Sequence, residues 1–123
     1  MTLYRVRMHA ARSEEFPEGS KAHGYDFVVP LDKQMRLDPD AWKNHSRDCR
    51  VHRFWSGEED QRGLLRHIGR GWVFDYDEEE TDDNEPFFKL DRHEIKEGEY
   101  LSVKEQDGET RTFQIVSVQP YVQ

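Results

Sequence analysis

The chain has a single cysteine, Cys49, among 123 residues, so no internal disulfide framework can hold it together. That scarcity fits a reducing compartment, and a cytoplasmic location is the expectation. No window approaches the ~20 consecutive apolar residues that a membrane span needs. Arg5 and Arg7 interrupt the N-terminal stretch where the apolar heart of a signal peptide would lie. Sustained helical periodicity is missing as well, since apolar residues never recur at i, i+3, i+4, i+7 over about a dozen positions. Gly69-Arg-Gly-Trp72 lacks the Gly-Lys-Ser/Thr of a phosphate loop, and no helix is expected after it. None of Ser13, Ser20, Ser46, Ser56, Ser102 and Ser117 sits in a nucleophile-elbow pattern. Only 34% of the residues are apolar, enough for one small core and not for two.

Charge is abundant and uneven. The net value is −8, from 18 Lys and Arg against 26 Asp and Glu. Residues 1–72 sum to +2 and residues 73–123 to −10. Eight of the eleven residues from Asp75 to Glu85 are acidic. Like charges at that density repel and resist burial, so a flexible, solvated loop is expected over 75–85 within one domain spanning 1–123. Such a run binds hydrated cations loosely, but it lacks the ligand spacing of a calcium loop. It could also steer a basic partner.

The apolar residues come in brief runs. They are Leu3–Met8, Tyr25–Leu31, Val51–Trp55, Leu64–Ile68, Trp72–Tyr76, Phe87–Leu90, Tyr100–Val103 and Phe113–Val118, each close to Gly, Pro, Asp or Ser. Asp38-Pro-Asp-Ala-Trp42 carries a helix start, with an N-cap aspartate, proline in the first turn and Trp42 turned to the core. The expected fold is all-β: a small antiparallel barrel or tight sandwich of seven or eight short strands, with one short helix near 39–45. Gly63, Gly69 and Gly71 mark a bend or bulge in it. In the last hairpin, a two-residue Asp107-Gly108 loop would separate Leu101 and Val103 from Phe113 and Ile115. A three-residue loop, Gln106-Asp107-Gly108, with a left-handed glycine in a bulge pairs Leu101 with Phe113 and gathers all four on one face. Ser117 would continue that face, while Val116 and Val118 would point away.

Three constellations could carry chemistry. His45, Cys49 and His52 offer imidazole and thiolate ligands suited to zinc, with one coordination position open for a metal-assisted enzyme. The bland alternative is a buried thiol between surface histidines. Arg47, Arg50, His45 and His52 would favour a Cys49 thiolate, although strand alternation puts immediate neighbours on the opposite face. Lys43, Arg47, Arg50, Arg53, Arg62, Arg66 and Arg70 interleave with Trp42, Phe54, Trp55 and Trp72, which suits single-stranded nucleic acid. The net −8 speaks against nucleic acid, and tryptophans in so polar a chain belong to the core. The favoured reading is a non-enzymatic module that binds a protein partner or small anion through Arg7, His9, Arg12, Arg53, Arg66 and His67. Free edge strands would offer a route to a dimer.

Arg7-x-His-Ala-Ala-Arg-Ser13 with Phe16-Pro-x-Gly19, Val51-His-Arg-Phe-Trp55 and Gly98-Glu-Tyr-Leu-Ser102 together resemble a group of small bacterial proteins that carry no assigned activity. That resemblance implies no functional residue. The tail from Glu97 resembles a strand-turn-strand unit of many small barrels, an analogy of fold alone.

Overall fold

The computed structural model describes residues 2–69, 71–76, 85–86 and 90–121. The alternating runs form eight antiparallel strands in the order β6-β5-β4-β3-β2-β1-β8-β7, rolled into a nearly closed barrel. The strands are β1 (Thr2–Ala10), β2 (Ser20–Leu31), β3 (Arg50–Trp55), β4 (Gln61–Ile68), β5 (Gly71–Asp75), β6 (Glu85–Pro86), β7 (Tyr100–Lys104) and β8 (Thr110–Pro120). One helix, α1 (Pro39–His45), joins β2 to β3, and a 3-10 turn covers Leu90–Arg92.

Register decides what faces inward. Val6, Met8, Tyr25, Phe27, Val51, Leu65, Phe74, Leu101, Phe113 and Ile115 are all buried, and they fill the lumen from alternate positions. Their cross-strand pairing follows from the period of two: Val6 faces Phe27, and Phe27 faces Val51. Gly63 on β4 lets β5 approach closely, because a Cβ there would collide with the Asp75 carbonyl.

The β7–β8 hairpin has the bulged three-residue loop. Leu101 pairs with Phe113, Glu105 N–H donates to Glu109 O at 2.9 Å, and Gly108 sits at φ 86°. Further along β8 the expectation for Ser117 fails. A bulge shifts the register between Arg7↔Ser117 and Met8↔Ile115. The extra residue, Val116, reverses the phase, so Ser117 turns outward with Arg7 and Val118 packs on the core.

α1 starts as its residues dictate: the Asp38 carboxylate accepts from Ala41 N–H at 3.1 Å, with Pro39 in the first turn. Trp42 packs against the core and donates its indole N–H to Leu65 O at 2.9 Å. The acidic run departs from expectation at its ends. Asp75 is buried in β5 and Glu85 is wholly buried in β6, while 77–84 lie outside the described residues. Of the run expected at Phe87–Leu90, only Leu90 is described, and it opens the 3-10 turn; 87–89 lie outside the described residues, as does Arg70, and β6 lies at Glu85–Pro86.

Candidate functional site: a basic outer groove and a buried polar cluster

The registers of β8, β1, β2, β3 and β4 align one row across the outside of the barrel. Ser117 faces Arg7, Arg7 faces Asp26, Asp26 faces His52, and His52 faces Arg62. These residues alternate with core positions on each strand, so their side chains share the outer face. Arg7 Nη1 donates to Asp26 Oδ2 at 2.6 Å, and Arg5 Nη2 lies 3.8 Å from the same oxygen. Asp26 is thereby neutralised from β1. His52 Nε2 lies 2.8 Å from Asp60 Oδ2.

A groove of about 400 Å³ opens along this row, lined by Arg5, Asp26, Arg50, His52, Arg62 and Tyr121 among others. Three guanidinium groups meet one carboxylate there, and that carboxylate is already paired. Among the described residues, Arg50 and Arg62 have no carboxylate partner. A larger hollow of about 590 Å³ beside the β1–β2 connection is lined by Arg12, Glu14, Glu15, Glu109 and Arg111. Carboxylates outnumber cations in it, and Arg111 is bound to Glu15 at 2.6 Å. The hollow therefore has no cationic surplus to offer.

Of the six residues expected to form one polar surface, Arg7, His9 and Arg12 lie near one another, while Arg53, Arg66 and His67 lie elsewhere. Arg7 and His9 stand side by side on β1, with Arg7 Nε donating to His9 Nε2 at 3.0 Å. Burial, then the Arg7 cation, hold His9 below its ordinary value, in keeping with a ring nitrogen that accepts from Arg7. Both flank Phe54, with the Arg7 guanidinium 4.4 Å from the ring centroid. Arg12 lines the mixed hollow and also, with His9 and Lys21, a neighbouring one of about 410 Å³; Arg66 on β4 donates to Asp75 Oδ2 at 2.7 Å. His67 stacks on Trp72 with 4.2 Å between ring centroids. Arg53 points into the barrel, its side chain 7% exposed. Sequence reasoning left Arg5, Arg50 and Arg62 out of the anion surface. The signal for them was strand alternation, but joining them required knowing that β1 to β4 lie next to one another in order.

The metal constellation does not converge. His45 Nδ1 lies 3.5 Å from Asp48, His52 is engaged by Asp60, and Cys49 is buried. Among the described residues no three His, Cys, Asp or Glu side chains form a metal-holding group. Burial, with the Asp48 charge behind it, pushes the Cys49 thiol up to about 12, so it is a thiol rather than a thiolate.

A second polar assembly lies inside one end of the barrel. Arg53 on β3 faces Tyr25 on β2 across the ladder. Arg53 Nε and Nη2 donate to Glu105 Oε2 at 3.3 and 3.2 Å, and Arg111 Nη1 donates to Glu105 Oε1 at 3.0 Å. Tyr25 Oη is 2.7 Å from Glu105 Oε2 and 3.0 Å from Glu85 Oε1, and Tyr76 Oη donates to Glu85 Oε1 at 2.6 Å. Glu85 Oε2 has no hydrogen-bond partner among the described residues, and Arg53 Nε stands 3.6 Å from it. Burial, which the Glu105 charge reinforces, pushes Glu85 up to about 7 even though Tyr76 and Arg53 pull it down. Burial opposes the charge on Arg53, but Tyr25, Glu105 and Glu85 outweigh it and keep the guanidinium ionised. With Glu85 and Glu105 at most 3% exposed, no substrate reaches these carboxylates in this form. They tie strands together.

No protein-family model, curated protein or solved structure matches this chain. Fold and site alone define its class: a small antiparallel barrel with a cationic groove on its outer wall.

Proposed function

We propose that the protein is a non-enzymatic binding module that takes a small phosphate- or carboxylate-bearing anion in the groove between Arg5, Arg50, His52, Arg62 and Tyr121. The observation that carries this reading is the pair Arg50 and Arg62, cations lining a concave surface with no carboxylate partner among the described residues. A guanidinium matches carboxylate and phosphate geometry with two parallel donors, and concave walls exclude part of the screening water. Nine of the ten lining residues belong to the half of the chain with positive net charge, so the groove draws anions despite the overall −8. Arg7 stands at its margin and, with Arg5, extends the donor surface toward Ser117 and Gln119. Among the described residues no helix is long and apolar enough to cross a membrane. A cytoplasmic setting suits the lone buried thiol.

Calorimetric titration with inorganic pyrophosphate tests the reading. Saturable binding is expected, weakened about tenfold or more by Arg62→Ala, because a charge-assisted hydrogen bond is worth about 1.5–3 kcal/mol. Raising the salt should weaken it further. An unchanged isotherm in the double variant Arg50→Ala, Arg62→Ala would sink the proposal. Binding of single-stranded oligonucleotides with a steep salt slope, and none of pyrophosphate, would replace it with the nucleic-acid reading.

A further inference from the structure

The two edge strands of the sheet, β6 and β7, face each other where the barrel comes closest to closing. Among the described residues no ladder joins them, and each contributes a buried glutamate to the seam: Glu85 from β6 and Glu105 from just beyond β7. One tyrosine hydroxyl, that of Tyr25, lies within hydrogen-bond distance of both. That hydroxyl has a single proton to give.

The proton count separates two states. Glu105 is the anion, since two guanidinium groups cover its two oxygens. If Glu85 were ionised as well, Tyr25 could satisfy only one of the two carboxylates; Glu85 Oε1 would keep the Tyr76 donor, but Oε2 would be a charged oxygen with no hydrogen bond, only the Arg53 cation 3.6 Å away, in a dry interior. With a proton on Glu85 Oε1, the same distances become a consistent chain. Glu85 donates to Tyr25, Tyr25 donates to Glu105, and Glu85 Oε2 becomes an uncharged carbonyl oxygen, which is far cheaper to leave alone. Among the described residues, the charged and titratable groups facing Glu85 are Tyr25 from β2, Arg53 from β3, Tyr76 after β5 and Glu105 after β7. Arg111 from β8 and the exposed Glu58 act on it through Glu105 and Arg53.

We propose that Glu85 is a proton-binding latch: the closed barrel holds a proton between Glu85 and Tyr25, and losing it opens the seam between β6 and β7. Among the described residues β6 is Glu85–Pro86 and pairs with β5 alone, so the described backbone bonding that opposes its release is small. The sign follows from linkage. In the open form Glu85 meets water and returns to its ordinary value of 4.5, whereas in the closed form it sits at about 7. The closed form therefore binds the extra proton, and rising pH favours opening by up to tenfold per unit between those values, levelling off above.

Hydrogen exchange of the segments containing β5 and β6, followed between about pH 5 and 8 and corrected for base-catalysed chemistry, reads the opening. The wild type is expected to lose protection as pH rises toward neutrality. Glu85→Gln, which keeps a donor toward Tyr25 but cannot ionise, is expected to stay protected throughout. A carbon-13 carboxyl titration of wild-type Glu85 supplies an independent readout and decides alone if the glutamine variant fails to fold. Titration of Glu85 near the ordinary glutamate value overturns the proposal, as does an equal loss of protection in the glutamine variant.

Discussion

Arg53 shows what a single side chain does in this barrel. It lies between Val51 and Trp55 on the inward face of β3, and its guanidinium rests 4.4 Å from the Trp55 ring centroid while binding Glu105. Alternation from Val51 to Trp55 implies that Arg53 points inward, whereas the rarity of buried arginines argues for the surface. Only the partners Glu105 and Glu85, 52 and 32 residues away in sequence, make its burial tolerable, and local pattern cannot supply them. Arg53→Met should destabilise the fold by about 3–5 kcal/mol, measured by urea denaturation, because it strands buried carboxylates. A loss near zero would mean the cluster stays hydrated. Cys49 gives a second test at this scale. Held at about 12 and buried, it should resist a thiol-exchange reagent near pH 8 and react at once in denaturant. Fast labelling of the folded protein would revive the reactive-thiol reading.

Among the elements, legibility tracked how local the determining physics was. α1 was readable because its start is written within a few residues, from Asp38 to Ala41. Asp38→Ala should therefore cost about 1 kcal/mol in a denaturant melt, by leaving a helix N–H without its acceptor. The β7–β8 register was readable because only one loop length puts Leu101 and Phe113 on the same side. Gly108→Ala should cost a further 1 kcal/mol or so, since its φ of 86° places a Cβ against the following carbonyl. Neither the β8 bulge at Val116 nor β6 could be foreseen. The bulge is set by how β8 fits against β1, and β6 is a two-residue strand whose glutamate is buried only because Tyr25, Tyr76 and Arg53 await it. Charge density argued for solvent at Glu85, and a prepared polar interior overrode it.

For the molecule as a whole, the decisive information was which strands are neighbours. Composition showed that cations gather in the first half of the chain. It could not show that Arg5, Arg50 and Arg62 meet in one groove while Arg12, Arg66 and His67 go elsewhere. That grouping exists because β1 to β4 are sequential neighbours in one antiparallel sheet, with Asp26 at the centre of the row. The groove and the interior cluster lie on opposite faces of the same strands. Substitutions in one should therefore leave the other's behaviour nearly additive, provided the barrel remains folded. The most direct measurement is a nitrogen-15 NMR titration with pyrophosphate that follows the arginine side chains as well as the backbone. Saturable shifts centred on Arg5, Arg50, His52 and Arg62 are the expected result; shifts centred on Arg12 and Arg47, or none that saturate, would contradict the assignment of this groove.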